Sequence, residues 1–238
     1  MENSFKIDRP GVRLSTRPLH FYWIADCSGS MRYKGKILSL NNAIRQSIPF
    51  MQTVADENPN AQLLVGAMSF STGAVWHIPL TPIAVFKWID LFAKGNTDMG
   101  CALSLMAEEL KMPPMSDRAL PPVLVLISDG RPTDNFNRGL KSLLHVPWGK
   151  KAVKLSIAIG EDAKIDILQK FIDHVEIKPF QANNPEALVK YIRWISTIIV
   201  KSVSSPGSQQ NSNNKSYLNF QIPTDPESMD DFKITDVW

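Results

Sequence analysis

Only two cysteines, Cys27 and Cys101, stand in this chain of 238 residues, too few for a disulfide framework and in keeping with a reducing compartment. Long apolar runs are missing too. A membrane-spanning helix needs about 18 or more apolar residues in succession, whereas the best stretch, Trp194 to Val200, is short and holds Ser196 and Thr197. The opening residues Met1 to Pro10 mix Glu2, Lys6, Asp8 and Arg9 and lack the apolar core of a signal peptide. These absences predict a soluble, cytoplasmic protein that does not engage a membrane. Nor is one charge in excess: a net charge of +3, with no Lys/Arg cluster interleaved with aromatics, argues against nucleic acid as a partner. A P-loop is absent, since no Gly-x-x-x-x-Gly-Lys-Ser/Thr string occurs. His20, His77, His145 and His174 are scattered and unaccompanied, so none is given a role.

What the chain does have is apolar material in short blocks. At 44% apolar content it can bury a full core, and its length fits one α/β domain with extensions. His20 to Ala25, Leu63 to Phe70 and Val123 to Ile127 are compact apolar runs, as expected of strands covered on both faces. Ser71-Thr72-Gly73 turns the second run back into a hairpin strand, Ala74 to Leu80, which makes the sheet mixed. Ile37, Leu40, Ile44, Ile48, Met51 and Val54 recur at helical spacing through Pro49. Further helices are expected over Pro82 to Phe92, Asp98 to Lys111, Asn135 to Leu144, Lys164 to Phe171 and Pro185 to Val203, with strands over Val153 to Ile159 and Val175 to Phe180. The fold class is therefore α/β: an open, mixed, mostly parallel sheet flanked by helices.

The boundaries follow composition. Residues 1–14 form an N-terminal extension, 15–203 the domain, 204–219 a polar Ser/Asn-rich linker expected to be flexible, and 220–238 an acidic tail. From Gly207 to Trp238, Lys215 and Lys233 stand against Asp225, Glu227, Asp230, Asp231 and Asp236, which gives this tail −3 and the remainder +6. The tail ends in Asp236-Val237-Trp238, a large ring beside charges, as in short peptides that anchor a partner through Trp. It could recruit a partner in trans or bring an acid to the domain's own site in cis.

In an open parallel sheet, ligands bind at the carboxyl ends of the strands. Asp26-Cys27-Ser28-Gly29-Ser30 follows the first strand, Thr97 lies in a polar loop before a helix, and Asp129 follows Val123 to Ile127. Asp26, Ser28, Ser30, Thr97 and Asp129 are all hard oxygen donors, and a set with only two carboxylates suits Mg²⁺ or Mn²⁺. If the hydroxyls bind the ion directly while the carboxylates act through water, the ion stays electron-poor and open to a carboxylate from a partner protein. Asp98 and Asp134 read as helix N-terminal charges rather than ligands.

The strings Asp26-Cys27-Ser28-Gly29-Ser30-Met31, Gly95-Asn96-Thr97-Asp98-Met99-Gly100 and Ile127-Ser128-Asp129-Gly130 resemble the metal-ion-dependent adhesion site of the von Willebrand factor type A domains. The resemblance spans about residues 15 to 203 and implies that family's six-stranded Rossmann-like sheet. The longer string Ser128-Asp129-Gly130-Arg131-Pro132-Thr133-Asp134 is similar to the bacterial cytoplasmic TerY-like members. That likeness implies a non-catalytic adaptor or scaffold in a stress or conflict response, working with a Ser/Thr kinase and a PP2C-type phosphatase. An alternative is a subunit that serves an AAA-type ATPase. An Asp-dependent phosphotransferase is the remaining enzymatic reading, weakened because the second Asp it needs two residues after Asp26 is replaced by Ser28.

Overall fold

The apolar blocks form one six-stranded sheet: β1 (Arg17–Asp26), β2 (Ala61–Ser71), β3 (Gly73–Pro82), β4 (Val123–Ser128), β5 (Val153–Ile159) and β6 (Phe180–Ala182). Its order is β3-β2-β1-β4-β5-β6. All neighbours run parallel except the β2/β3 hairpin. This computed structural model describes residues 16–58 and 60–204; the expected N-terminal extension, the linker after Ser204 and the acidic tail, with Asp236, Val237 and Trp238, lie outside the described residues.

The helices are α1 (Lys36–Asp56), α2 (Met99–Glu109), α3 (Phe136–His145), α4 (Pro147–Lys151), α5 (Ile165–Ile172), α6 (Pro185–Trp194) and α7 (Val200–Ser204), the last two joined through a π-helical turn at Ile195–Ile199. From β1 the chain moves to one side to build β2, and from β4 to the other side to build β5. Right-handed crossovers then place α1 and α3 on opposite faces. Accordingly α1 packs on α6, and α2 packs on α3. Covered on both faces, β1 and β4 read as unbroken apolar runs: Phe21 to Ala25 and Val123 to Ile127 are fully buried.

Two expectations do not hold. Pro82 to Phe92 is not a helix; only a 3₁₀ turn at Ile83–Val85 forms there. The cause is Asn41, buried on α1, whose side chain donates to Leu91 O and accepts from Leu91 N–H and the Trp88 indole N–H. His77 Nε2 meets Ile89 O at 2.7 Å, so side chains satisfy backbone groups that a helix would otherwise pair. The strand expected at Val175 to Phe180 is also displaced, to Phe180–Ala182. There the Gln169 amide donates to the carbonyls of His174 and Ile177, and Val175 is left exposed.

The contact between α2 and α3 is made without side chains at its tightest point. A Cβ on Gly139 would lie 2.2 Å from Gly100 O, and one on Gly100 would lie 2.4 Å from Asn135 O. Gly139→Ala should therefore destabilise the domain by about 2–3 kcal/mol despite alanine's better helix propensity, because the backbone must move to admit the methyl group. Urea denaturation checks this; a variant as stable as wild type would show that the helices separate easily.

Candidate functional site

The chain reverses its direction of sheet growth between β1 and β4, and polar groups gather at that switch point, where an open α/β sheet leaves a crevice. The parallel register pairs Ala25 with Ile127 and so seats Asp26, the last residue of β1, beside Ser128. Asp26 Oδ2 accepts from the Ser128 hydroxyl at 2.5 Å, and Asp26 Oδ1 accepts from Ser28 N–H at 2.7 Å. Beyond Ser128, the Asp129 carboxylate turns into the same crevice. Its Oδ1 accepts from the Ser30 hydroxyl at 2.7 Å, and the Ser28 and Ser30 hydroxyls pair at 2.9 Å. Four of the five expected donors are thus linked through hydrogen bonds and the Ser128–Asp129 backbone, and both carboxylates are buried.

Thr97 completes the set by proximity. A Cβ built on Gly130 would touch Thr97 Cγ2 and Oγ1, both at 3.4 Å, and lie 3.7 Å from Asp26 Oδ2, so Thr97 and Asp26 meet at the bare face of Gly130. Thr97 is itself buried and held by its backbone: its N–H donates to the Thr133 hydroxyl, and its carbonyl accepts from Thr133 N–H. The loops are stitched to one another as well, through Gly29 N–H to Gly95 O at 3.0 Å and Lys94 N–H to Cys27 O at 2.7 Å. Asp98 accepts from Gly73 N–H and the Thr133 hydroxyl. Asp134 accepts from Gly100 and Cys101 N–H at the start of α2. Both spend their oxygens on positioning the loops.

Burial pushes Asp26 up to about 6; hydrogen bonds from Ser128 and Ser28 pull the other way, and the charge of Asp129 adds to the rise. Burial, with the charge of Asp26, pushes the Cys27 thiol up to about 12, so it stays protonated and unreactive. Cys101 is exposed.

Lys36, at the start of α1, was not among the expected site residues. Its Nζ donates to Asp129 Oδ2 at 2.7 Å and to Asp162 Oδ1 at 3.2 Å. Burial lowers its pKa, but bonding and attraction to the two carboxylates outweigh this and raise it overall; burial likewise raises Asp162, but the Lys36 hydrogen bond and charge, with a backbone hydrogen bond and Lys34, together hold it below the usual carboxylate range. A signal was present in the sequence: a lysine opening a helix whose first turn holds no acid sits at the wrong end of the dipole, which calls for carboxylates from elsewhere.

The donor set, two carboxylates and three hydroxyls, all oxygen, is of the kind that suits a hard divalent cation. Among the described residues no three His, Cys, Asp or Glu side chains cluster as a metal group, so a cation here would depend on hydroxyls.

Sheet order and a polar cluster at the switch point define a doubly wound α/β domain. The model of the von Willebrand factor type A domain matches residues 22–188, and the chain belongs to that family. Solved structures similar to it include a von Willebrand factor type A protein from Catenulispora acidiphila, at 19% identity and TM-score 0.58 over 76% of this chain and 42% of that one. The ArnB paralog VWA2 from Sulfolobus acidocaldarius is similar at 23% identity and TM-score 0.53 over 73% and 45%. The pilus adhesin SpaC from Lactobacillus rhamnosus GG is similar at 12% identity and TM-score 0.64 over 79% and 31%. The chain spans less than half the length of each, and at such identities they show the fold alone. No curated protein matches the chain.

Without metal, Asp26 should cost the domain stability. Its folded pKa of about 6 lies above its ordinary 3.8, so the folded state binds this proton more tightly; the cost is full above about 6 and is relieved as pH falls toward 3.8. Asp26→Asn, which keeps an acceptor for Ser28 N–H, should stabilise the metal-free protein at neutral pH by about 1–3 kcal/mol. The gain should vanish near pH 4. Thermal denaturation in EDTA across this range checks it, and an unchanged or lower Tm at pH 7 would contradict it.

Proposed function

We propose that this domain is a metal-dependent protein-interaction module. Ser28, Ser30 and Thr97 would hold Mg²⁺, or Mn²⁺, through their hydroxyls, and Asp26 and Asp129 would balance its charge. The observation that carries this reading is the convergence of two buried carboxylates, at the ends of adjacent strands, with the Ser28 and Ser30 hydroxyls, and of Asp26 with Thr97 at Gly130. A cation bound there supplies an electrophilic point that a carboxylate of a partner protein can complete.

The residues themselves favour binding over catalysis. The Ser28 hydroxyl pairs with Ser30 rather than with a base. The nearest histidine in sequence, His20, sits eight residues upstream of Ser28 on β1, and its ring nitrogen faces Tyr22. Ser30 does donate to the Asp129 carboxylate, but that carboxylate is ion-paired with Lys36, which makes it a weak base for activating a hydrolytic nucleophile. We therefore read the chain as a non-catalytic adaptor or scaffold. Domains of this family often serve interaction or adhesion, and among the similar structures SpaC is a pilus adhesin. The partnership with a Ser/Thr kinase and a PP2C-type phosphatase in a bacterial stress or conflict response is supported by the likeness of residues 128–134 to TerY-like chains. A cytoplasmic setting is supported by the two free cysteines. No helix of the described residues is long and apolar enough to cross a membrane.

Affinity purification of the full chain beside Asp26→Ala, each with Mg²⁺ and with EDTA, tests this. Both the substitution and the chelator should remove the same partners. A bound set unchanged by either treatment would refute metal-dependent recognition.

A further inference from the structure

Lys36 places a fixed positive charge inside the cluster proposed to take a divalent cation, and the structure is built to keep it there. Its side chain is only 10% exposed, and its Nζ spans Asp129 Oδ2 and Asp162 Oδ1. Gly160 makes room for the pair: at φ +86° it adopts a conformation unfavourable to other residues, and a Cβ there would lie 2.9 Å from Asp162 Oδ1 and 3.1 Å from Lys36 Cε. The two carboxylates holding Lys36 are unequal. Asp129 is buried and shared with Ser30, whereas the Asp162 side chain is 75% exposed and its charge is screened by water. Lys36 also lines, with Ser30, Lys34 and Asn183, a cavity of about 310 Å³ that opens beside the cluster.

We propose that Lys36 is a resident counter-cation that sets the charge of the site: it holds Asp129 in place without a metal, weakens divalent-cation binding, and leaves the loaded site net positive. This rests on the metal reading above. The formal count shows why. Asp26 and Asp129 contribute two negative charges; without metal, Lys36 offsets one of them. With a divalent cation present the two carboxylates are fully offset, and Lys36 adds a positive charge that the exposed Asp162 screens only weakly. A neutral loaded site would gain little from an external carboxylate, whereas a positive one attracts it. Lys36 is therefore a specificity-determining residue for an acidic partner, and it acts at the expense of metal affinity.

Calorimetric titration of Mg²⁺ into the full chain, beside thermal denaturation in EDTA, tests the assignment. Lys36→Met keeps the aliphatic stem and removes the charge; it should tighten Mg²⁺ binding by about ten-fold or more, since like charges at this range repel strongly in a buried setting. Its Tm in EDTA should fall, and its gain in Tm on adding Mg²⁺ should exceed that of wild type. Lys36→Arg should restore wild-type behaviour in both. Asp162→Asn, at an exposed position that does not threaten the fold, should weaken Mg²⁺ binding about two- to three-fold by leaving Lys36 less neutralised. Wild type that binds Mg²⁺ beside a folded Lys36→Met that binds no tighter would overturn the role of Lys36 and leave the metal reading intact. Tighter or unchanged binding in Asp162→Asn would overturn it likewise, even if Lys36→Met failed to fold. Absence of Mg²⁺ binding in wild type and every variant would overturn both readings.

Discussion

Two carboxylates must be buried side by side because β1 and β4 pair in parallel, in register, and both stop at the same level of the sheet. The register cannot slip. Phe21 to Ala25 and Val123 to Ile127 are covered on both faces, and a shift of one residue would reverse the face on which every side chain lies. Asp26 is therefore set beside Ser128 by the packing of the core beneath it, and Asp129 follows as the next residue along the chain. Burying ionisable groups this way is unfavourable unless hydrogen bonds and counter-charge compensate. Much of the surrounding structure is that compensation: the Ser128 hydroxyl and Ser28 N–H on Asp26, the Ser30 hydroxyl and Lys36 on Asp129.

The compensating groups come from loops, and loops hold position only when their own backbone groups are satisfied. Here they satisfy one another. Gly29 and Lys94 join the 26–30 loop to the 94–97 loop, and Thr133 joins the latter to the loop after β4. Asp98 and Asp134, both acids in or near the crevice, are taken up by Gly73 N–H, the Thr133 hydroxyl and the first N–H groups of α2. An acid near a crevice is thus not automatically a donor to it; what matters is whether its oxygens are already committed. The Thr97 hydroxyl is the contrasting case, since no hydrogen bond joins it to another described side chain and it lies at Gly130 beside Asp26.

This division also explains what could be read from the chain and what could not. A strand buried on both faces is an uninterrupted apolar run, so a charge ending it is conspicuous; that is why Asp26 and Asp129 stood out beside β1 and β4. Ser28, Ser30 and Thr97 followed from the loops that those strands feed. Pro82 to Phe92 misled because its apolar spacing suits a helix, while its backbone is pinned by Asn41, about fifty residues earlier and itself an inconspicuous polar position within α1. The strand near β6 was shifted for a similar reason, the Gln169 amide capping carbonyls that a longer strand would have paired. Lys36 was missed because a search for oxygen donors does not look for a cation. Its sequence clue is electrostatic: a helix start with a lysine and no acid.

Lys36 also gives the buried carboxylates a physical logic that hydroxyls alone do not. Hydroxyls can satisfy lone pairs but cannot cancel charge, so a cluster of two acids and three hydroxyls is left negative. One internal ammonium removes half of that charge and no more. A second internal cation would have neutralised the cluster and left little reason for an ion to enter; none at all would have left Asp26 and Asp129 to repel each other across the crevice. Asp162 refines the balance from the water side, where its influence on the lysine is real but screened. The site thus sits between a neutral, closed polar core and an open anionic pocket. That intermediate position lets the fold hold two buried acids without a ligand while leaving one negative charge that no internal group of the cluster offsets.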